Sequence, residues 1–519
     1  MSRKLKIGTC PNDTKGDLMN EELIKKLDEL ERSLYVFHHL SSQVELDALT
    51  AAPQESAAGR SVVMEYLSNE RYKLFASEQT GELLQQLSER KDELPERTAR
   101  QTEFLKRDYD RMKAIPQEEY VKYDVLISEA QNVWVKAKRE NDFASFAPYL
   151  EKIVESQLRF IGYWDPKHEK NPYDVLLDEY EYGLTQEFLD DFFGNLKQTI
   201  VPLVHSITEK GWQPRSDFLH RAAPLEKQRT LSDYLMEVLT LDRDHCAIGE
   251  TEHPFTLEFN RDDVRITTHY HLNAVMSSFY SVMHEGGHAL YELHTGEELR
   301  FTSLASGASS SIHESISRFF ENIIGRSKGF CAFILPKMKE LFPEQFADVS
   351  DAEFYKAVNI AQPSLIRTEA DELTYCLHIM VRYEIEKGLI SGEIAVRDLP
   401  RVWNEKMKEY LGVDVPNDTK GVLQDTHWSG GSFGYFPTYA LGNAYGAQMW
   451  ERMKQDVDVA GCCAKGELAP VVEWLTEHVF RYGCMLDPVP LFEQYCGAKF
   501  TPEPYCRYLK EKYSEIYEL

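Results

Sequence analysis

Apolar and polar positions alternate at a helical period through the first two hundred residues of the chain. Between Asn20 and Leu46, Leu23, Leu27, Leu30, Leu34 and Phe37 recur every three or four positions among charges. That spacing predicts an amphipathic helix with one apolar stripe. Similar patterns predict helices over Ser61 to Leu94, Pro95 to Ala114, Gln117 to Asn141, Phe143 to Trp164 and Gln186 to Gly211. Asp165-Pro166-Lys167 and Asn171-Pro172-Tyr173 mark breaks. The charged stretch from Ser88 to Arg107 lacks a sustained heptad and reads as the solvated face of a surface helix, not a coiled coil.

The texture changes between Ala247 and Tyr270. His253 to Phe259 and Asp263 to Tyr270 are rich in β-branched and aromatic residues at period two, which predicts strands. Val264 and Ile266 then face one side and Arg265 and Thr267 the other. Such a strand can serve as a structural hairpin or offer a substrate an edge for main-chain pairing. No fixed-period repeat and no Gly/Ser- or Pro-rich linker divides the chain, so the expectation is one mainly α-helical unit over residues 1–519, with an amino-terminal helical region of about 18–245 and the chemistry-bearing motifs in 253–439.

Charge narrows the partners. Lys plus Arg number 58 against 85 Asp plus Glu, a net charge of −27, which disfavours nucleic acid and anionic membranes but tolerates a bound cation. Nine scattered cysteines without a CxxC pair suit a reducing compartment. The adjacent Cys462-Cys463 reads as two small hydrophobes in preference to a redox site. The first residues lack the apolar stretch of a secretory signal, and no segment approaches the roughly 18 apolar residues of a membrane span, so a cytoplasmic location is expected.

Chemistry enters at His284-Glu285-Gly286-Gly287-His288. Residues four apart share a helix face, so His284 and His288 can aim both imidazoles at one divalent ion. Glu285 is placed to take a proton from water activated there. Metal-assisted hydrolysis is the expectation. Gly286-Gly287 weakens a helix unless substrate or a packed element must approach its backbone. A hydrolytic site usually has a third protein ligand. His294 has the spacing used where the helix turns sharply after the second histidine, but Tyr291 stands where that turn needs Gly, so the helix is expected to run on and carry His294 away. Glu292 lies on the same helix as both imidazoles and is expected to make a surface contact or one behind a ligand. A second helix, Ser310 to Asn322, offers His313 or Glu314, which project about 100° apart, and spacing does not choose between them.

Six motifs then appear in order: His253-Pro254-Phe255; Asp263-x-Arg265-x-Thr267; His284-Glu285-Gly286-Gly287-His288; His313-Glu314-Ser315-Ile316; Ile366-Arg367-x-x-Ala370-Asp371; and Gly421-x-x-Gln424-Asp425-x-His427-Trp428. In these the chain resembles the carboxypeptidase Taq family of metallocarboxypeptidases. The amino-terminal half is matched only by size, helicity and a loose Asp47, Thr50, Pro53, Arg60 pattern.

The resemblance implies a large helical zinc-peptidase fold with a long substrate groove and a small β-sheet near the active site. It implies His284, His288 and Glu314 as ligands of one divalent ion per chain, Zn²⁺ or alternatively Co²⁺, and Glu285 as general base. It further implies peptide substrates and a homodimer. Ile316 departs from the family's usual Gln, which puts the surroundings of a ligand in question. The Gly-rich aromatic run from Gln424 to Tyr439 supplies Tyr435 or Tyr439 as oxyanion donor and His427 for substrate binding. An exopeptidase must also hold a terminal carboxylate, for which an arginine fork is suited; Arg265 and Arg367 are the candidates. An oligoendopeptidase or dipeptidase on the same scaffold, and a non-catalytic helical binding protein, remain the other readings.

Overall fold

In the computed structural model, which describes residues 11–519, the amino-terminal region is a series of helices: α1 (Pro11–Thr50), α2 (Ala57–Phe75), α3 (Glu78–Ser88), α4 (Glu96–Ala114), α5 (Gln117–Glu140) and α6 (Phe143–Trp164). Cys10 and the start of the chain lie outside the described residues. The single pattern expected from Ser61 to Leu94 is in fact two helices, α2 and α3. Ser77 starts the second, its hydroxyl accepting from Thr80 N–H, a bond that closes a helix amino terminus and so favours a break. Pro172 does not end a helix but begins a short one, α7 (Pro172–Leu177), after an Asn171 cap. Then follow α8 (Gln186–Lys210) and α9 (Leu225–Val238).

The stretch from Ser88 to Arg107 was expected to be a solvated face. Within α4, however, Thr98, Gln101, Thr102 and Leu105 are buried, and Arg100 and Arg107 reach across to Asp487. Charges that looked solvated in one dimension are interlayer ion pairs. The apolar stripes explain the layering. Leu23, Leu27, Leu30, Leu84, Leu87 and Leu105 of α1, α3 and α4 form a small core of their own, while the main core runs through α5 to the carboxyl-terminal helix. Polar contacts join the layers, among them Glu31 to Ser303 N–H and hydroxyl, while Gln101 donates to the same carboxylate from within the first layer.

The sheet has three strands in the order β1-β3-β2: β1 (Cys246–Glu250), β2 (Thr256–Asn260) and β3 (Asp263–Thr268). β1 runs parallel to β3 and was not predicted as a strand of its own; β2 is antiparallel to β3. Val264 and Ile266 are fully buried, and β3 packs on α10 (Val275–Leu293). Thr267 is buried too, because Thr251 and Phe255 cover its face with hydrogen bonds to its hydroxyl at 2.7 and 2.9 Å.

Beside α10 lies α11 (Ser310–Arg318), which continues into a wide π turn, Phe319–Ile324. A Cβ on Gly287 would sit 2.8 Å from Ser317 Cα, and one on Gly286 would sit 2.5 Å from a Leu239 methyl. The two glycines therefore admit a neighbouring helix backbone and core side chains, where substrate access had been an alternative. The helix Phe436–Met453 crosses the other side of α11 through Gly442, where a Cβ would meet Glu314 Cγ at 2.7 Å. Among the described residues, no helix is long and apolar enough to cross a membrane. Cys463 is buried, and burial pushes its thiol up to about 11, an inert state.

Candidate active site

α10 presents His284 and His288 one turn apart, and α11 brings Glu314 opposite them. One donor atom from each lies within 4.8 Å of the others. Glu314 Oε2 is 3.7 Å from His284 Nε2 and 3.6 Å from His288 Nε2. Tetrahedral ligands at about 2.1 Å from an ion stand ~3.4 Å apart, so the donors need little movement to close on one.

Both Nδ1 atoms are engaged elsewhere, which leaves Nε2 for an ion. His284 Nδ1 is 3.0 Å from Glu321 Oε2, and Glu321 is in turn held by Arg318 at 3.1 Å. His288 Nδ1 is 2.6 Å from His313 Nδ1, whose Nε2 lies 2.7 Å from Glu292 Oε1. If His288 ligates through Nε2, its Nδ1–H donates to His313, and His313 Nε2–H donates to the Glu292 carboxylate. Glu292 is thus buried behind a ligand, while His294 turns its Nδ1 to the Leu290 carbonyl at 2.8 Å because the helix runs through Tyr291. Burial pushes His288 down to about 3, so it is neutral and its lone pair is free. Burial alone would raise the Glu314 carboxyl, but Arg318, at 2.7 Å, and the imidazoles outweigh it and hold it well below the usual range. Burial alone would lower His284, but Glu314, Glu321 and Glu285 outweigh it and raise it, so a divalent cation there would take the place of a proton. Two imidazole nitrogens and a carboxylate suit such an ion. Ile316, about 200° round the helix from Glu314, is fully buried on the core side.

Glu285 lines the same cavity, of about 740 Å³, as the three donors. Thr256 of β2 donates to its Oε2 at 2.7 Å, fixing the carboxylate, and burial raises its pKa. Tyr435 and Tyr439 stand at the start of the helix Phe436–Met453 with ring centroids 5.1 Å apart, and both line the cavity.

The other expected substrate contacts are placed differently. Arg265 does not line the cavity; Asp263, two residues earlier on the same strand face, accepts from its Nε and Nη2 at 2.8 Å each. Arg367 is buried and bonded to Asp425 at 2.9 and 3.0 Å, an ion pair that Arg382 shares. His427 lies behind Tyr435, its ring stacked on that tyrosine at 5.6 Å, and burial pushes it down to about 4. Sequence reasoning missed Thr256, Glu321 and Arg107. Glu321 was findable, since Glu314, Arg318 and Glu321 fall on one helix face at i, i+4 and i+7. Arg107 is the arginine that lines the cavity among the described residues, and only the folding of α4 over the body reveals it.

Residues 26–513 match the family model described as carboxypeptidase Taq (M32) metallopeptidase. The chain belongs to this family. It is 41% identical to the protein named carboxypeptidase 1 of Bacillus subtilis strain 168 over 499 residues, which is 96% of this chain and 98% of that one. It is 35% identical to thermostable carboxypeptidase 1 of Pyrococcus furiosus, covering 96% of this chain and 99% of that one. Among solved structures, the M32 carboxypeptidase of Deinococcus radiodurans R1 superposes with a TM-score of 0.93 at 33% identity, covering 96% of this chain and all of that one (100%). The helical fold with its small sheet is the family's, and His284, His288 and Glu314 form a candidate site for a divalent metal.

Proposed function

We propose that the chain is a metal-dependent carboxypeptidase of broad specificity, releasing carboxyl-terminal residues from short unfolded peptides. In this reading zinc, or cobalt in its place, is held by His284, His288 and Glu314, and Glu285 is the general base. The observation that carries it is Glu285, held by Thr256 and facing the same cavity as the three donors. A divalent ion held by that set would polarise the scissile carbonyl and acidify water. Glu285, its pKa raised by burial, accepts the proton and passes it to the leaving amine. Thr256 keeps the carboxylate aimed during both transfers. The hydroxyl of Tyr435 or of Tyr439 donates to the developing oxyanion. Arg107 lines the cavity, as Arg265 and Arg367 do not, and is the candidate for a terminal carboxylate, which would share its guanidinium with Asp487. A homodimer with one ion per chain, in the cytoplasm, belongs to the same reading.

The test is mass spectrometry of matched peptides with free and amidated carboxyl ends, incubated with protein loaded with Zn²⁺ or Co²⁺. Amidation is expected to abolish cleavage; equal cleavage of both forms would favour an oligoendopeptidase. Glu285→Gln should lower kcat by about 10²–10⁴. A variant as fast as the wild type would remove Glu285 from the mechanism. Of Tyr435→Phe and Tyr439→Phe, the one that loses the oxyanion donor should fall by about 10²–10³ in kcat.

A further inference from the structure

A second cavity, of about 400 Å³, adjoins the first and holds none of the three donors or Glu285. Phe104, Asp108, Glu258 and Ser306 line both, so the two form one cleft with a waist at Glu258. Beyond the waist the walls are aromatic. Tyr35 of α1 packs on Phe301 with centroids 4.8 Å apart, and Phe75 and Phe259 line the same space. Phe301 has φ of +62°, a conformation that costs a bulky L residue free energy and that persists where the surroundings require it. The residue is still 36% exposed and lines this space. Of the charges there, Glu31 accepts from Ser303 and Gln101 and His38 meets the Glu258 carboxylate at 3.2 Å, while Arg71 and Asp108 give the space one polar side.

The strand edge says what reaches this space. Phe255 C=O accepts from Thr267 N–H, so Phe255 and Leu257 turn their main-chain groups toward β3, while Thr256 and Glu258 turn theirs toward the cleft. At Glu258 that edge is already occupied, since His38 Nε2 lies 3.0 Å from its carbonyl oxygen. A carboxypeptidase substrate has one residue beyond the scissile bond and its whole remainder on the amino-terminal side. Paired antiparallel to β2, that remainder would run past Glu258 toward Asn260 and the second cavity. At about 3.3 Å per residue along the strand, the second cavity is met roughly three to four residues upstream of the scissile bond. Main-chain pairing has ended there, so side-chain contact takes over.

We infer that the second cavity, walled by Tyr35, Phe301, Phe259 and Phe75, is a subsite for an apolar or aromatic side chain of the substrate three to four residues upstream of the cleaved bond. The assignment rests on the carboxypeptidase reading. It makes the enzyme permissive at the cleaved end and selective upstream.

The experiment uses metal-loaded full-length protein and acetylated pentapeptides ending in Ala-Ala-Leu, with Phe, Leu, Gly or Asp at each of the two positions before that ending. At one of the two positions, kcat/KM for leucine release with Phe or Leu should exceed that with Gly by about tenfold, the effect of burying one such side chain. In Phe301→Ala and in Tyr35→Ala, which lie on different segments, this ratio should fall toward one. A flat series at both positions, with leucine released throughout, overturns the subsite. So does a ratio that survives both variants. Failure to release leucine from any peptide overturns the carboxypeptidase reading instead.

Discussion

Gly442→Ala tests whether a helix crossing, and not only the three donors, builds the metal site. A Cβ at residue 442 would lie 2.7 Å from Glu314 Cγ, 2.9 Å from its Cβ and 3.1 Å from its carbonyl carbon. Ordinary carbon contacts begin near 3.5 Å, so α11 and the helix Phe436–Met453 must separate by roughly 0.8 Å. Ligand positions tolerate about 0.2 Å. Glu314 cannot absorb the shift by rotating, because Arg318 and Ser317 hold its oxygens at 2.7 and 3.1 Å. Overpacking of this kind costs about 1–3 kcal/mol, and the displaced carboxylate should weaken Zn²⁺ binding by about 10–100-fold, the range seen when a ligand loses its support. The assay is competition for Zn²⁺ with a fluorescent chelator, alongside calorimetric Tm. Gly59→Ala is the control: residue 59 is in α2, nothing lies within 4 Å of a methyl group added there, and Ala should stabilise by about 0.5–1 kcal/mol. Wild-type zinc affinity and Tm in Gly442→Ala would refute the argument that this close crossing sets the ligand.

Two further outcomes are expected. His313→Phe removes the acceptor of His288 Nδ1–H, and zinc affinity in the same competition should drop about 10–100-fold; unchanged affinity would mean that the Glu292-His313-His288 chain does not orient the ligand. Glu181, buried beside the first turn of α11 and accepting from Ser311 N–H, has its carboxyl pushed up by burial to about 7. Because the folded value lies above the unfolded one, its contribution is fully present below about pH 4.5 and is lost as pH rises through about 7, a change of about 3 kcal/mol. Glu181→Gln should therefore flatten the fall in denaturant-measured stability between pH 5 and 8; an identical slope in the variant would show that Glu181 does not carry it.

The helices of the amino-terminal region were legible because each has a continuous stripe: α6 begins and ends where the period places it, Phe143–Trp164, and α5 ends one residue from the expected boundary. The break at Ser77 was hidden because a single capping hydroxyl interrupts an otherwise unbroken pattern. β1 was hidden for a different reason. Its five residues, Cys246–Glu250, include Gly249 and Ala247, which carry little strand preference, and parallel pairing with β3 supplies what the residues lack. In the site, two candidate ligands followed from spacing on one helix, while the third depended on how α11 is rotated, which the glycine crossings decide and no local pattern records.

The misplaced arginines show what a motif does and does not specify. In Asp263-x-Arg265-x-Thr267, period two puts all three side chains on one strand face, so the ion pair of Arg265 with Asp263 was written in the spacing, and Thr267 holds the Phe255 N–H that sets the cavity rim. The Arg367 motif and the Gln424-Asp425 motif are likewise partners of each other: Gln424 Oε1 accepts from Arg367 N–H at 3.0 Å and from Arg382 at 2.8 Å, while Asp425 binds both guanidiniums. A buried charge must find its counter-charge, and breaking such a pair costs about 3–5 kcal/mol. Selection for that pairing is enough to keep an arginine in a motif without any contact to substrate. Arg107, Tyr35 and Phe301 line the cleft yet sit outside the six motifs. Specificity in this chain is therefore sought in the first helical layer and its cleft, while the motifs explain the rigidity with which α10 and α11 hold His284, His288 and Glu314.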